Sequence, residues 1–321
     1  MNPDPVPDIL VAGEALVDFL PERSGPLAGV ESFHRRPGGA PANVAVGLAA
    51  LDRTPWFWTR VGADPFGDAL AETLADAGLP DRFVERDPEA KTTLAFVEHD
   101  ADADRAFTFY RDGTADTRLQ PGRVPGDVLD AVEWVSVGGV PLASEPARTA
   151  TLDLAERARG RGATVAFDPN ARPELWDDEF PAVVERMLDR AHVVKATPED
   201  LDAAGFDANA DPEVLATAVH EAGPHTLLLT RGKQGAFAAA TADAPWGPAA
   251  VTHDGYAVDP ADTTGAGDAF TAGALAALSE GEPLGEVLAF ANAVAAVTTT
   301  AAGAMTALPD REAVRGFRAE R

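Results

Sequence analysis

The decisive stretch of this chain is Asp262-Thr263-Thr264-Gly265-Ala266-Gly267-Asp268-Ala269. Its two glycines allow the backbone to approach a ligand with the N–H groups turned outward. The apolar stretch 269–278 that follows predicts a buried helix starting at this turn. Unpaired amides and the helix dipole attract negative charge there, so the stretch predicts an anion-binding turn with an ionised Asp268 that can serve as a base. The alternative is a structural turn in which Asp268 only stabilises the helix start.

A second glycine-rich segment lies about 220 residues earlier and reads Gly38-Gly39-Ala40-Pro41-Ala42-Asn43. Pro41 is favourable in the first turn of a helix, and the two glycines free the backbone just before it. Asn43 then projects from that turn with both a donor and acceptors, which suits a sugar hydroxyl. A helix start with an incidental polar residue remains the alternative interpretation.

In this order along the chain, the two segments resemble the N-terminal and C-terminal motifs of the ribokinase-like sugar kinases, the phosphofructokinase-B type family. The resemblance implies an α/β fold, namely a three-layer sandwich around a mainly parallel sheet, with a small β-sheet lid over the sugar. It also implies transfer of a phosphoryl group from ATP to a primary hydroxyl of a small sugar, with Asp268 as the base. The amides of Gly265, Ala266 and Gly267 would stabilise the transferring group.

The same resemblance implies the cofactors and the nucleotide contacts. Mg²⁺ is expected with ATP, and K⁺ beside Asp262 and Thr264. Thr197 and Asp200 replace the Asn and Glu of the family motif that organises the magnesium waters, and a hydroxyl and a shorter carboxylate can still order water. The expected ATP contacts are Thr197, Thr230, Gly232, Lys233, Gly235, Gly267 and Asn292. Asn292 would face adenine, or else be an incidental polar residue of its helix.

On the sugar side, the expected contacts are Asp18, Gly38, Gly39, Asn43, Arg111 and Arg172. An aspartate in an apolar strand needs polar partners if it is buried, which favours a ligand for Asp18. The strings 107–111 and 167–173 resemble the fructokinase and 2-keto-3-deoxygluconate kinase branch, with surface ion pairs as the alternative role of the two arginines. Phe109 replaces a tyrosine of some ketodeoxygluconate kinases, so fructose is the expected substrate, with 2-keto-3-deoxygluconate or ribose as alternatives. A sugar-sensing protein without catalysis is the non-enzymatic alternative.

Strand and helix patterns alternate from residue 131 onward, which predicts a mainly parallel sheet covered by helices on both faces. Two hairpin-like pairs lack a crossover helix and predict a small separate sheet, with lid strands contributed by about 15–36 and 91–112. Such a lid often makes dimer contacts in the family, so a homodimer through the lid is expected. The charged segment 84–91 is expected to be only a loop. The whole chain, 1–321, is expected to form one domain.

The charge balance of the chain is unusual. Its 52 acidic and 26 basic residues give a formal net charge of −26, and only three of the basic residues are lysines. Such a surface argues against nucleic acid or an anionic membrane as a partner. It predicts a protein that works in high salt, where screening suppresses self-repulsion, with a moderately acidic mesophilic enzyme as the alternative. Cysteine, a signal-peptide pattern and an uninterrupted apolar span are absent from the sequence, so a cytoplasmic protein is expected.

Overall fold

The structure is a computed structural model, and it describes residues 6–23, 25–99 and 105–321. Its strands, in chain order, are β1 (Ile9–Ala12), β2 (Leu16–Pro21), β3 (Phe33–Gly38), β4 (Trp56–Gly62), β5 (Val84–Asp87), β6 (Leu94–His99), β7 (Arg105–Tyr110), β8 (Trp134–Gly138), β9 (Thr164–Asp168), β10 (Val193–Ala196), β11 (Thr226–Thr230), β12 (Ala236–Ala240) and β13 (Ala249–His253). Its helices are α1 (Ala40–Ala50), α2 (Pro65–Asp76), α3 (Gly126–Leu129), α4 (Ala147–Arg159), α5 (Phe180–Leu188), α6 (Pro198–Ala203), α7 (Pro212–Glu221), α8 (Ala266–Ser279), α9 (Leu284–Thr299) and α10 (Arg311–Ala319).

The larger sheet has the strand order β13-β12-β11-β10-β9-β8-β1-β4-β5. The strands from β5 across to β11 run parallel, whereas β12 and β13 are antiparallel to their neighbours. Strands β1 and β8 are buried along their whole length, as expected when helices cover both faces of a parallel sheet. The predicted α/β fold with a mainly parallel sheet is therefore confirmed.

Helices on the two faces of this sheet close two apolar cores. On one face α1, α8 and α9 pack together and bury side chains such as Leu48 and Leu275. On the other face α4, α5 and α7 contribute Leu154, Met187 and Val219 to a second core. Within the residues that the structure describes, none of the helices combines the length and the apolar composition that crossing a bilayer requires.

The order of the parallel strands changes direction at β1, which has β4 on one side and β8 on the other. In open α/β sheets, ligands bind outside the carboxyl ends of the strands near such a switch point. Asp168 ends β9, and Thr230 ends β11. The fold thus places Thr230, one of the expected nucleotide contacts, at the same edge of the sheet as Asp168.

A second, smaller sheet has the strand order β3-β2-β6-β7. Both predicted hairpins are present as the antiparallel pairs β2–β3 and β6–β7, and β2 joins β6 in parallel. Residues 100–104 of the second expected lid segment lie outside the described residues. Side chains on one face of this sheet, including Asp18, Val97 and Phe107, border a cleft of about 460 Å³. Loop 260–264, just before α8, forms the opposite wall of that cleft.

The expectation that 84–91 is only a loop is wrong, because Val84–Asp87 form the edge strand β5. The charged and polar groups of this strand have partners in β4. Arg60 Nη2 lies 2.8 Å from Asp87 Oδ2, and Trp58 Nε1 donates to Glu85 Oε1 at 3.1 Å.

The alanine-rich strands β12 and β13 are a second feature that the sequence patterns do not predict. Both differences concern the flanks of the sheet and leave the site edge unchanged.

Candidate active site

Helix α8 begins at the sharp turn that the sequence predicts. Gly265 precedes its first residue with a φ of 76°, and a Cβ atom on Gly265 would lie 2.6 Å from the Cβ atom of Ala304. A glycine is therefore required both by the left-handed backbone and by the close approach. The amides of the first helical turn, which includes Gly267, have no intrahelical acceptors. This geometry suits an anion held against the start of α8.

Asp268 contacts Asn43 although 225 residues separate them along the chain. Asn43 Nδ2 donates to Asp268 Oδ2 at 2.7 Å, because α1 and α8 pack side by side. Burial raises the pKa of Asp268 to about 6, although the hydrogen bond from Asn43 and the positive charge of Lys195 lower it. The helix dipole favours the ionised carboxylate, as the sequence predicts, whereas burial favours the protonated form. Asp268 is still mostly ionised at pH 7, and it is more basic than an exposed aspartate.

A buried ion pair beside Asp268 is not among the site residues expected from the sequence. Lys195 Nζ lies 3.0 Å from Asp168 Oδ2, and the two residues belong to the neighbouring strands β10 and β9. Burial raises the pKa of Asp168. Burial alone would lower the pKa of Lys195, but the carboxylates of Asp168 and Asp200 outweigh it and raise that pKa. The signal available in the sequence is a rare lysine within an otherwise apolar strand.

The two glycines before α1 make room for neighbouring oxygen atoms. A Cβ atom on Gly38 would collide with the carboxylate of Asp18. Gly39 has a φ of 102°, and a Cβ atom there would lie 2.5 Å from the carbonyl oxygen of Glu14. The structure therefore places Asp18 and both glycines beside the start of α1, on the same side of that helix as the cleft described above.

Arg111 belongs to a buried polar network, so its alternative assignment to a surface ion pair is wrong. Its Nε donates to Asp116 Oδ2 at 2.7 Å, and its Nη1 donates to Ser144 Oγ at 3.4 Å. Asp116 also accepts hydrogen bonds from the hydroxyls of Thr93 and Thr114. Two of the three guanidinium nitrogens of Arg111 thus bond inside the protein, and the N–H groups of the buried Nη2 have no acceptor among the described residues.

Glu14 is a further buried group, and it is not among the site residues expected from the sequence. Its Oε1 accepts the N–H of Ala40, the first residue of α1, at 3.2 Å. Burial raises the pKa of Glu14 to about 8, which outweighs the nearby charge of Arg111. The carboxyl group is therefore mostly protonated at neutral pH, and it supports the helix that carries Asn43.

Arg172 lies in the loop after β9 and connects that loop with the second sheet. Its guanidinium carbon is 5.4 Å from the ring centroid of Phe107, and its Nη1 donates to the carbonyl of Ala171 at 2.9 Å. Glu174 in the same loop accepts the N–H of Phe107 at 3.2 Å. The charge of Arg172 also acts on Asp268. Arg172 therefore lies where the second sheet approaches the start of α8.

Thr197 and Asp200 form a capping box at the start of α6. Asp200 donates its N–H to Thr197 Oγ1 at 3.1 Å, and Thr197 donates its N–H to Asp200 Oδ2 at 2.9 Å. Asp200 Oδ1 accepts the N–H of Ala171 at 2.8 Å. A carboxylate oxygen has two acceptor sites, so this fixed group can still order a water molecule. Over residues 6–23, 25–99 and 105–321, no group of three or more His, Asp or Glu side chains is arranged to hold a metal ion.

Three of the expected nucleotide contacts line one cleft. Thr197, Thr230 and Gly232 border a space of about 550 Å³ between the turn after β11 and helices α6 and α7. Lys233 is exposed at that turn. The cleft and the exposed lysine lie at the carboxyl ends of β10 and β11, the same edge of the sheet as Asp168.

Gly235 and Asn292 have structural surroundings that the sequence does not show. Gly235 has a φ of 75°, and a Cβ atom on it would collide with the carbonyl of His253. Asn292 is buried in α9, where its Nδ2 donates to the carbonyl of Leu288 at 2.8 Å. Its Oδ1 would lie 3.9 Å from a Cβ atom on Gly255. Asn292 therefore points towards the Gly235–Gly255 contact and is absent from the cleft lined by Thr230.

The loop before α8 is held by Asp262. Its Oδ1 accepts from the N–H of Thr264 at 2.9 Å and from Thr264 Oγ1 at 2.6 Å. Its Oδ2 accepts the N–H of Gly303 at 3.0 Å. These hydrogen bonds connect the loop with the segment after α9, and they fix the backbone that enters the turn at Gly265.

Comparison with known proteins identifies the family. The family model described as pfkB family carbohydrate kinase matches residues 6–311. The chain belongs to this family. The predicted relationship to ribokinase-like sugar kinases is thereby confirmed, and the protein is a carbohydrate kinase. Asp268 and Asn43, which the structure joins by a hydrogen bond, both lie within the matched range.

Fructokinases are among the most similar relatives of this pfkB family kinase. The fructokinase of Klebsiella pneumoniae is 38% identical over 314 residues, which cover 95% of this chain and 97% of that protein. The structure of a fructokinase from Xylella fastidiosa with bound ATP has a TM-score of 0.86 at 30% identity, covering 97% of this chain and 98% of that one. A fructokinase double mutant from Vibrio cholerae O395, solved with fructose, ADP and a potassium ion, has a TM-score of 0.84 at 32% identity. The match covers 98% of this chain and 99% of that one. These similarities confirm the ribokinase-like fold.

Proposed function

We propose that this pfkB family kinase phosphorylates a primary hydroxyl of fructose with ATP. The observation that carries the proposal is the Asp268 carboxylate, held 2.7 Å from Asn43 within the first turn of α8. Phosphoryl transfer to a hydroxyl needs a base and a stabilised anion close together, and this helix start offers both. The choice of fructose is supported by the fructokinases among the relatives, one of which was solved with fructose and ADP.

Asp268 accepts the proton of the sugar hydroxyl while the hydroxyl oxygen attacks the γ-phosphorus of ATP, and the bond from that phosphorus to the leaving ADP oxygen breaks. The amides of Gly265 and Gly267 stabilise the negative charge of the transferring group, together with the amide of Ala266, which also donates to the carbonyl of Thr263 at 3.3 Å. With a pKa raised to about 6, the base is mostly ionised at neutral pH and still accepts a proton readily. Asn43 fixes the orientation of the carboxylate during this step.

The sugar is held on the second-sheet side of α8. Asp18 accepts hydrogen bonds from sugar hydroxyls, and Gly38 and Gly39 keep the backbone beside it free of side chains. Arg172 is better placed than Arg111 for a direct sugar contact, because its charge acts on Asp268 and two nitrogens of Arg111 are already bonded within the protein. This division of roles differs from the equal roles that the sequence predicts for the two arginines.

ATP lies along the cleft at the carboxyl edge of the sheet. The proposed contacts in and beside this cleft are Thr197, Thr230, Gly232, Lys233, Gly235 and Gly267. Adenine is proposed to extend beyond the cleft to the Gly235–Gly255 contact, towards which Asn292 points. Asp200, whose carboxylate is fixed by the N–H groups of Thr197 and Ala171, would order the water ligands of a magnesium ion bound with the nucleotide, and that ion would supply positive charge to the phosphates. A potassium ion beside Asp262 and Thr264 is also proposed, since relatives include a structure with potassium.

The substrate assignment is tested by steady-state kinetics with ATP and three acceptors in molar potassium chloride. We expect kcat/KM to be highest for fructose. The value for 2-keto-3-deoxygluconate should come next, because Phe109 cannot donate a hydrogen bond to its carboxylate as a tyrosine would, and the loss of that bond costs about 1 kcal/mol. A preference for ribose would contradict the assignment. Sugar binding without turnover of any acceptor would favour the sugar-sensing alternative.

The second sheet is proposed to be the lid of a single domain, with lid segments at about 15–36 and 91–112, and to form a dimer contact. On the face away from the cleft, Phe19, Phe33, Phe96 and Tyr110 form a cluster of stacked and edge-on rings. Tyr110 is 62% exposed, and such aromatic surfaces are favourable at protein interfaces. Light scattering should give the mass of a dimer that Tyr110→Glu weakens, and a monomer at micromolar concentration would contradict this proposal.

A further inference from the structure

A buried lysine lies beside the proposed base and has no role in the mechanism described so far. Lys195 is 7% exposed, and its Nζ lies 3.0 Å from Asp168 Oδ2. The Asp200 carboxylate of α6 also favours the charged form of this lysine. An ammonium group has three N–H donors, and Asp168 accounts for one of them. Only three of the 26 basic residues are lysines, so a lysine surrounded by carboxylates indicates a specific role.

The ammonium group of Lys195 lies against the turn at the start of α8. A Cβ atom built on Gly267 would be 3.4 Å from Lys195 Nζ, so the charge adjoins the residue that precedes Asp268. On their inner side, Lys195 and Asp168 border a cavity of only about 10 Å³, which has room for at most one water molecule. The charge therefore acts through a medium that screens it less than bulk water does.

We propose that the Lys195 ammonium, held by Asp168 against the Gly265–Gly267 turn, is the positioning charge that keeps Asp268 in its proton-accepting form. The inference rests on the proposed function, because it takes Asp268 to be the base. A fixed positive charge favours a carboxylate over a carboxylic acid. It thereby offsets part of the burial that raises the pKa of Asp268. Without this charge, a smaller fraction of the enzyme would hold an ionised base at neutral pH.

The other groups around Asp268 come from three elements and act in different directions. Asn43 from α1 donates a hydrogen bond to the carboxylate and so favours its ionisation. Asp168 from β9 opposes ionisation through its negative charge, and Arg172 from the following loop favours it. The effect of Lys195 on the Asp268 pKa is larger than that of Asp168 or Arg172. Of these three charges, removal of Lys195 should therefore change the pKa of Asp268 most.

The test is the pH dependence of kcat between about pH 5 and 9, measured with saturating ATP and fructose at constant ionic strength. In the wild-type enzyme, kcat should fall on the acid side as Asp268 becomes protonated. We expect Lys195→Met to move the midpoint of this fall upward by about one pH unit, because an opposite charge nearby commonly lowers a carboxyl pKa by that much or more. The matched control is Lys91→Met, which removes an exposed lysine and should leave the midpoint in place.

Two further variants separate the charge effect from a loss of folding. Lys195→Met leaves Asp168 without its partner, which can destabilise the protein, whereas the double variant Lys195→Met with Asp168→Asn removes both charges together. The double variant should still move the midpoint upward, but by less than Lys195→Met, because the removed Asp168 charge acts in the opposite direction. Asp168→Asn alone should move the midpoint to lower pH. Thermal unfolding of each variant shows that the compared molecules are folded.

Opposite shifts for Lys195→Met and Asp168→Asn would support the inference, since a purely structural pair would lower kcat without moving the midpoint. If the wild type shows the acid fall and the folded Lys195 variants keep its midpoint, the inference is overturned and the proposed function stands. If the wild type does not turn over fructose, or if Asp268→Asn retains the wild-type kcat, the proposed function fails and the inference fails with it.

Discussion

At the scale of single residues, the proposed chemistry depends first on Asp268 and its neighbour Asn43. Asp268→Asn keeps an acceptor for the Asn43 amide and the helix start, but removes the negative charge that takes the proton. We expect kcat to fall by about 10²–10⁴ with little change in KM for ATP or fructose. Steady-state kinetics and thermal unfolding on this one variant separate three roles. A raised KM with wild-type kcat would mean that Asp268 only binds sugar, and a lower Tm with unchanged kcat would mean that it is structural.

A glycine substitution tests the sugar side of the site. Gly38→Ala places a Cβ atom on the carboxylate of Asp18, which must then move. Losing hydrogen bonds to a charged group costs about 1.5–3 kcal/mol, so KM for fructose should rise about 10- to 100-fold while KM for ATP changes little. The matched control is Gly285→Ala, because no atom lies within 4 Å of a Cβ atom at that position in α9. Equal KM values for the two variants would show that Asp18 does not bind the sugar.

At the scale of the elements, a histidine connects three strands at the edge opposite the site. Val165 in β9 donates its N–H to His192 Nδ1 at 2.9 Å, and the imidazole stacks on His225 at 5.7 Å. Burial lowers the pKa of His192 from 6.5 to about 4, with smaller contributions from Arg159 and His225. The folded protein thus binds this proton less readily than the unfolded chain does, so stability is lost as the pH falls from about 6.5 towards 4.

The variant His192→Asn keeps an acceptor for Val165 but has no titratable ring. Between pH 7 and 4.5 the free energy of unfolding of the wild type should decrease by about 1–2 kcal/mol more than that of the variant, a figure reduced for partial exposure of the ring. Urea unfolding at the two pH values provides the measurement. Parallel decreases for the two proteins would mean that the imidazole does not contribute to acid sensitivity.

Most elements follow from the sequence pattern, and the missed strands have a common physical cause. Residues 269–278 and 40–50 are apolar and begin at glycine turns, so their helices are predictable. Strand β5 is charged because its side chains pair with β4, and a local pattern cannot show the partner strand. Strand β12 is mostly alanine, a residue with little preference for strands, and its conformation is set by pairing with β11. The Lys195–Asp168 pair is missed for the same reason, since only the folded sheet brings the two residues together.

At the scale of the whole molecule, the net charge of −26 is expected to make stability depend on salt. Repulsion between surface carboxylates opposes the compact state, and dissolved salt screens it. We expect Tm to rise by several degrees between about 0.1 and 2 M potassium chloride, with kcat rising in parallel, because the Debye length shrinks from about 10 Å to below about 3 Å. Sucrose is the control, since it stabilises proteins without screening charge. A Tm that stays flat or falls with potassium chloride would contradict adaptation to high salt.

The hydrogen bond between Asn43 and Asp268 also has a consequence for the synthesis and folding of the protein. The two residues that it joins are 225 positions apart in the sequence, so the bond cannot form during translation until α8 has emerged from the ribosome. Contacts between distant parts of a chain form slowly, because closing a long loop costs entropy before any contact stabilises it. Most of the β-sheet can assemble while the protein is still inert. On the proposed mechanism, catalytic turnover is therefore a late event in biogenesis, because it requires α8 to pack against α1.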